Sequence, residues 1–277
     1  MHIDDLISRA LAEDLGDGDH TSLACIPANS IGKAKLLVKE TGIIAGIEIA
    51  RRVFEKVDVK TRFIQVLKDG DAVKPGDIAF TVEGNPVSLL SSERLALNFM
   101  QRMSGIATKT HQMVKLLDGL NTKLLDTRKT TPTLRTLEKM AVKLGGGENH
   151  RFGLYDMIMI KDNHVDFSGG IKNAINNVKN YLKEKNKSLK IEIEVRNFDE
   201  LNQVISIGGV NRIMLDNFSP ENLKKAVDII DGKYETEASG GITESTLRMY
   251  AETGVDYISV GSLTHHIKSL DLSLKAY

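Results

Sequence analysis

Hydrophobic and polar positions keep one period in the first third of the chain and another after it. From Ile31 to Val87 the text is short apolar runs, AKLLVKETGIIAG and then KPGDIAFTVEGNP, cut by Pro75-Gly76 and Gly84-Asn85-Pro86. Such runs between turn residues predict strands. Between them IEIARRVFEKV has helical spacing, with Ile47, Ala50, Phe54 and Val57 on one face. A small α/β layer is expected, a sheet packed on helices. From about Leu89 the chain becomes helical through SSERLALNFMQRM, with a pause expected at Ser104-Gly105 before IATKTHQMVKLLDGL resumes.

From Lys123 onward strand and helix patterns alternate. TKLLD, YDMIMIKD, KIEIEVR, NRIMLDN, YETEAS and DYISVG read as strands. PTLRTLEKMAVKL, GGIKNAINNVKNYLKEK, DELNQVISIG, PENLKKAVDIID and TESTLRMYAETG read as helices. The first helix is expected to be capped by Thr131, to start at Pro132 and to stop at Gly145 to Gly147. Six βα units imply a parallel sheet, closed as a barrel or doubly wound. The barrel is favoured by IEIEVR, whose Glu192, Glu194 and Arg196 must point somewhere enclosed and polar while Ile191, Ile193 and Val195 pack. It is also favoured by polar residues at successive strand ends: Asp126, Lys161, Arg196, Asp216, Ser239 and Ser262. Active sites of α/β barrels gather on that rim.

Composition narrows the class. With 277 residues, 41% of them hydrophobic and 27% charged, the chain has ample core for one large or two smaller domains. Its 37 basic and 37 acidic residues cancel, which argues against a nucleic-acid or membrane-surface protein. No apolar run reaches the roughly 18 residues of a membrane span, and the acidic start lacks the features of a signal peptide. The single Cys25 excludes an internal disulfide and a cysteine metal cage. A cytoplasmic location is expected.

Against that neutral background the stretch from Asp126 to His164 stands out. Arg128, Lys129, Arg151 and Lys161 fall at strand ends or on glycine-flanked loops, with His150 beside Arg151. Such a cluster suits a small, densely anionic ligand, although solvated surface charge is the usual fate of these residues. Lys161 departs most from that fate because it follows the apolar MIMI run. SGG (Ser239, Gly240, Gly241) and VGS (Val260, Gly261, Ser262) follow the last two strands, where barrels often bind phosphate through backbone N–H groups. Glu194 and Asp216 share the rim. They either neutralise the cations or bind sugar hydroxyls or hydrated Mg²⁺, and periodicity does not separate Glu192 from Glu194. His150 and His164 lack zinc-ligand spacing, EDLGDGDHTS lacks EF-hand spacing, and no P-loop or GxGxxG occurs.

Six ordered motifs, DTRKTTPTLR, GGGENHRFGLYDMIMIKDNH, IEIEVRN, IMLDNF, SGGIT and DYISVGSLTH, resemble the quinolinate phosphoribosyltransferase family. The resemblance runs from EDLGDGDHTS to LDLSLKAY. It implies an N-terminal α/β sandwich-like domain over residues 1–105. An incomplete α/β, TIM-like barrel is implied over 106–277, with a tail that packs back on the first domain. It further implies Mg²⁺-dependent transfer of phosphoribose from 5-phosphoribosyl-1-pyrophosphate to quinolinate, giving nicotinate mononucleotide, pyrophosphate and CO₂. The implied assembly is a homodimer or larger, with each site completed by an arginine of a second subunit, here Arg102. The implied quinolinate pocket is Arg102, Thr127, Arg128, Lys129, His150, Arg151 and Lys161. The phosphoribosyl side is Glu194 and Asp216, which also hold Mg²⁺, with Ser239, Gly240, Gly241, Val260, Gly261 and Ser262. Lys129, Lys161, Glu194 and Asp216 are the implied catalytic residues. Competing readings are a paralogue acting on another acid, a silent binding protein that kept the site, and a phosphosugar lyase or aldolase using Lys161 as a Schiff-base lysine.

Overall fold

The computed structural model describes residues 3–277, so the first two residues of the expected N-terminal domain lie outside it. The chain opens with α1 (Ile3–Leu15), α2 (His20–Cys25), β1 (Gly32–Val38), β2 (Gly42–Ile43) and α3 (Ile47–Val57). There follow β3 (Arg62–Gln65), β4 (Ala72–Val73), β5 (Ile78–Gly84) and the long α4 (Pro86–Lys115). Alternation then begins: β6 (Lys123–Leu125), α5 (Arg135–Leu144), β7 (Ile158–Ile160), α6 (Asp162–Phe167), α7 (Ile171–Glu184), β8 (Ile191–Val195) and α8 (Phe198–Ile207). It continues through β9 (Arg212–Asp216), α9 (Pro220–Ile230), β10 (Glu235–Ser239), α10 (Glu244–Ala251) and β11 (Tyr257–Ser259) to α11 (Ser262–His265) and β12 (Leu272–Ala276). No helix among the described residues is long and apolar enough to cross a membrane.

Two compact units result, neither contiguous in sequence. One takes residues up to Gln112, Thr130–Gly146 and Ser262–Tyr277. Its antiparallel sheet has the order β12-β1-β5-β3, and β2 pairs with β4 in a separate ribbon. The last strand, β12, lies along β1 with Leu36 opposite Leu274. Strand β1 buries every second residue, Ala34, Leu36 and Val38, as period two requires. Ile47, Ala50, Val53 and Phe54 of α3 are buried, and Phe54 meets Phe80 edge to face with ring centres 6.0 Å apart.

The other unit holds Met113–Lys129 and Gly147–Gly261. Its six parallel strands run β6-β11-β10-β9-β8-β7. Glu148 adds a single bridge to Leu125 on the free side of β6. The order is that of a barrel: from β7 to β11 each strand lies beside the next in sequence, and β6 lies beside β11. Among the described residues the ring stays open between the Glu148 bridge and β7, which pairs only with β8. The alternation in IEIEVR has the consequence expected of it for the two glutamates, since all of Ile191–Val195 is buried, but not for Arg196, which is exposed and held outside by Glu200 and Asp166.

Two local expectations fail for identifiable reasons. No pause interrupts α4 at Ser104-Gly105. A Cβ on Gly105 would lie 2.3 Å from the Lys268 carbonyl oxygen, so this glycine admits a crossing backbone. The Ser104 hydroxyl meanwhile accepts from the Ala45 amide at 2.9 Å. Both residues that look like helix breakers are packing devices. The helix expected from Pro132 begins instead at Arg135, with Leu134 at its N-cap. Thr133 takes a positive φ of 69°, and the Thr131 hydroxyl accepts a hydrogen bond from Arg102 at 2.7 Å instead of capping. A tertiary partner outcompetes the local cap.

Candidate active site

Residues paired across parallel strands face the same side, so the register stacks the barrel interior in tiers. The first tier holds Met159, Glu192, Arg212 and Glu235. The second holds Glu194, Met214, Glu237 and Tyr257. Asp216 and Ser239 form the top, at the C-terminal ends of β9 and β10. Alternation in EIEV, RIMLD and ETEAS is what turns these groups inward.

A cavity of about 330 Å³ opens within this unit. Its wall includes Thr127, Arg128, Lys129, His150, Arg151 and Lys161, with Ser239 at the strand end. Met159, Met214, Glu237 and Ser259 complete it. Every quinolinate-pocket residue expected from the sequence is on this wall except Arg102. The two cationic segments are zipped together behind it: Glu148 donates its amide to Leu124 (2.8 Å) and accepts from the Asp126 amide (3.1 Å). The buried Asp126 carboxylate in turn accepts the His150 amide at 2.8 Å. Burial first, and repulsion from Arg128 second, hold the Arg151 guanidinium below its ordinary pKa. Like charges this close are tolerated best when an anion sits among them.

Beneath the cations lies a buried charge network. The His150 Nε2 is 3.0 Å from Glu192 and 3.3 Å from Glu237. Both carboxylates are 0% exposed. Arg212 reaches Glu237 at 3.0 Å and Glu235 at 3.0 Å, and its guanidinium lies 3.9 Å from the Tyr257 ring centre. Burial alone would lower the His150 pKa, but Glu192 and Glu237 outweigh it and raise the pKa to about 9. The Arg151 amide, 2.6 Å from Nδ1, opposes the second proton; two full carboxylate charges exceed one amide dipole. Burial, then repulsion from Glu237, lifts Glu192 to about 7. His150, Glu192 and Glu237 have the donor types of a metal site. Imidazolium and guanidinium already balance the two carboxylates there, so a divalent ion would have to displace both.

The remaining expected residues fall in four places. Lys161 Nζ is 2.8 Å from Glu194, which is 7% exposed. Asp216 accepts from Asn217 Nδ2 at 2.6 Å at the top of β9, next to Ser239 in register. Gly240 follows with φ 98°, where a Cβ would lie 2.2 Å from Asn217 Oδ1, so only glycine fits. Gly241 is also at positive φ, 62°. Val260 is buried, its amide donating to Leu125 at 3.0 Å, with Gly261 next in the chain. Ser262 and Arg102 belong to the other unit. There the Ser262 carbonyl accepts from Lys109 at 2.9 Å, and Arg102 is bound by Glu138 at 2.6 Å.

Sequence reasoning missed Glu237, Arg212 and Glu138. The ETEAS alternation, set beside IEIEVR, carried the signal for Glu237. A larger cavity of about 450 Å³ lies beside β7 and α7, lined mainly by Leu154, Met157, Ile158, Ile160, Val178 and Tyr181. It is apolar and lacks the convergent charge of the first.

Comparison with known proteins agrees with this geometry. The description "Quinolinate phosphoribosyl transferase, N-terminal domain" matches residues 19–104, and the corresponding C-terminal domain matches residues 106–275. The chain is 46% identical to a nicotinate-nucleotide pyrophosphorylase [carboxylating] of Arabidopsis thaliana, over 98% of this chain and 81% of that one. It is 42% identical to a probable nicotinate-nucleotide pyrophosphorylase [carboxylating] of Bacillus subtilis, over 99% and 93%. The crystal structure of NadC from Streptococcus pyogenes superposes with a TM-score of 0.94 at 41% identity, covering 99% of this chain and 95% of that one. The nicotinate-nucleotide pyrophosphorylase of Francisella tularensis gives 0.93 at 41% identity, covering 99% and 96%. A cation-lined cavity on an open α/β barrel, full-length identity above 40% and both domain descriptions agree: the chain belongs to the quinolinate phosphoribosyltransferase family, the transferases called nicotinate-nucleotide pyrophosphorylase (carboxylating).

Proposed function

We propose that this chain joins quinolinate to 5-phosphoribosyl-1-pyrophosphate, releasing nicotinate mononucleotide, pyrophosphate and CO₂, within a homodimer or larger assembly. The observation that carries the reading is one cavity whose wall holds Arg128, Lys129, Arg151 and Lys161 with His150. Quinolinate presents two adjacent carboxylates, and forks and point charges on the wall of one cavity hold both and orient the ring nitrogen. The nitrogen attacks the anomeric carbon as the bond to pyrophosphate breaks. Glu194 and Asp216, on neighbouring strands, face the positive charge that develops on the ribose, where fixed charge does most for the rate. With the nitrogen quaternised, the C2–carboxylate bond breaks, its electrons pass to C2 beside the ring cation, and C2 takes up a proton. Ser239, Gly240 and Gly241, with Val260, Gly261 and Ser262, receive the 5′-phosphate.

The oxygen-only donor pair Glu194 and Asp216 suits Mg²⁺, which takes one or two carboxylates and completes its shell with phosphate oxygens and water. Bound there, the ion would neutralise the departing pyrophosphate. The test is purified protein with quinolinate, phosphoribosyl pyrophosphate and Mg²⁺, following nicotinate mononucleotide and CO₂ together, with nicotinate as the alternative acid. Product from quinolinate alone supports the dicarboxylate pocket. Absence of product from a folded protein, or equal use of nicotinate, refutes it.

A further inference from the structure

Arg102 is gripped by a carboxylate that the reaction itself does not call for. Glu138 sits on α5 and is 1% exposed. Its Oε1 accepts from Arg102 Nε at 2.8 Å and from Nη2 at 2.6 Å. Its Oε2 accepts the Thr131 amide at 3.2 Å. The Thr131 hydroxyl and the Thr264 carbonyl also accept from Nη2, at 2.7 and 3.1 Å. Nη1 takes no part in these bonds. The guanidinium is therefore fixed along its Nε–Nη2 edge, while the side chain remains 29% exposed.

Other contacts secure the same grip. Lys109, seven residues further along α4 and on the same face, donates to the Ser262 and His266 carbonyls at 2.9 and 2.7 Å. That anchors both ends of α11 and so places the Thr264 carbonyl. Thr131 reaches its position through the turn in which Thr133 has φ 69°, only two residues after Lys129. A buried Glu–Arg pair is weak evidence for stability, because apolar side chains of like volume often do as well. Its distinctive effect is direction: an arginine tied along one edge loses the rotamer freedom that would otherwise oppose binding.

We propose that Glu138, seconded by Thr131, is the positioning residue of Arg102, holding its Nη1 end ready for a carboxylate of the aromatic dicarboxylate bound in a second copy's site. This rests on the function proposed above and adds the element that orients the donated arginine. Glu138 touches no substrate and acts only through Arg102.

The test is a double-mutant cycle of E138Q and R102A, with quinolinate varied at saturating phosphoribosyl pyrophosphate. E138Q is expected to raise the quinolinate KM about tenfold, ~1.4 kcal/mol, with little change in kcat, in the KM for phosphoribosyl pyrophosphate or in the thermal midpoint. E138D should recover part of that loss. In the R102A background, where turnover is lost, E138Q should weaken quinolinate binding measured by calorimetry no further than R102A alone does. Equal effects in both backgrounds, or a lowered midpoint with unchanged KM, would overturn the proposal. Should E138Q not fold, T131V carries the test with the same expectations, and an unchanged quinolinate KM in T131V sinks it. A wild-type protein that neither binds nor turns over quinolinate overturns the functional reading and this one with it. A working wild type with an indifferent E138Q overturns this one alone.

Discussion

Replacing Arg212 with methionine isolates the charge balance at the barrel floor. Arg212 is the permanent cation of a network that contains two carboxylates with no solvent exposure. Without it, His150 alone faces Glu192 and Glu237, at 3.0 and 3.3 Å, and the floor carries one negative charge too many. Glu235 suffers less, being partly exposed with Lys190 3.2 Å away. Removing one partner of a buried ion pair typically costs about 3–5 kcal/mol, and that is the loss expected at pH 8. The loss must depend on pH. Glu192 has a pKa raised to about 7 by burial and by Glu237, and Arg212 works against that rise. In R212M the value therefore rises further, so between pH 7 and 8 wild-type Glu192 is ionised while the variant keeps its proton. One pH unit of differential protonation is worth about 1.4 kcal/mol, so the destabilisation should be smaller by roughly that amount at pH 5.5, where both proteins hold the proton. Urea unfolding followed by circular dichroism at the two pH values measures it. A loss that is equal at both, or larger at pH 5.5, would refute the view that Arg212 serves to neutralise the buried carboxylates.

Wild-type stability should fall as pH rises from about 6.5 to about 9. His150 has a folded pKa above its unfolded one, so its contribution is complete below about 6.5 and is lost as pH passes through about 9. The ceiling is about 3 kcal/mol, and a flat urea midpoint across that range would show His150 to be neutral in the fold. K129A and K161A should each lose at least about tenfold in kcat/KM, ~1.4 kcal/mol of transition-state stabilisation; near-wild-type kinetics in both would remove the assigned pocket. R102A and K161A, each inactive alone, should regain up to about a quarter of wild-type activity when mixed, since in a two-fold dimer half the pairs are mixed and each has one intact site. No recovery after verified subunit exchange would deny a shared site.

Much of the fold was legible because its signals are local. Period-two glutamates in IEIEVR required an enclosed polar interior, and alternating strand and helix patterns gave the parallel order. The cations were legible through their contrast with a neutral chain. What escaped was whatever depends on a distant partner. Ser104-Gly105 looks like a break until the Lys268 carbonyl is seen crossing it. Thr131 looks like a helix cap until Arg102 is found bonded to it. Glu237 and Arg212 lie inside ordinary strand patterns, and nothing local shows that Arg212 on β9 reaches Glu237 on β10. Arg102 was named only through the family resemblance, and Glu138 not at all, because 36 residues separate them.

The vertical partition of charge explains how one cavity can demand an anion in a protein whose charges cancel overall. Across the two lower tiers Arg212 and His150 face Glu192 and Glu237, so that network is balanced and gains nothing by binding an ion. Above it Arg128, Lys129 and Arg151 join the same wall, while the acids on that side, Glu194 and Asp216, are displaced toward β8 and β9. Lys161 stands at the boundary, on the cavity wall yet bonded to Glu194. Two adjacent carboxylates match a wall of several cations better than one does, since each can meet a fork or a point charge of its own. Quinolinate and nicotinate differ by one carboxylate, so discrimination between them is the measurement that tests the site most directly.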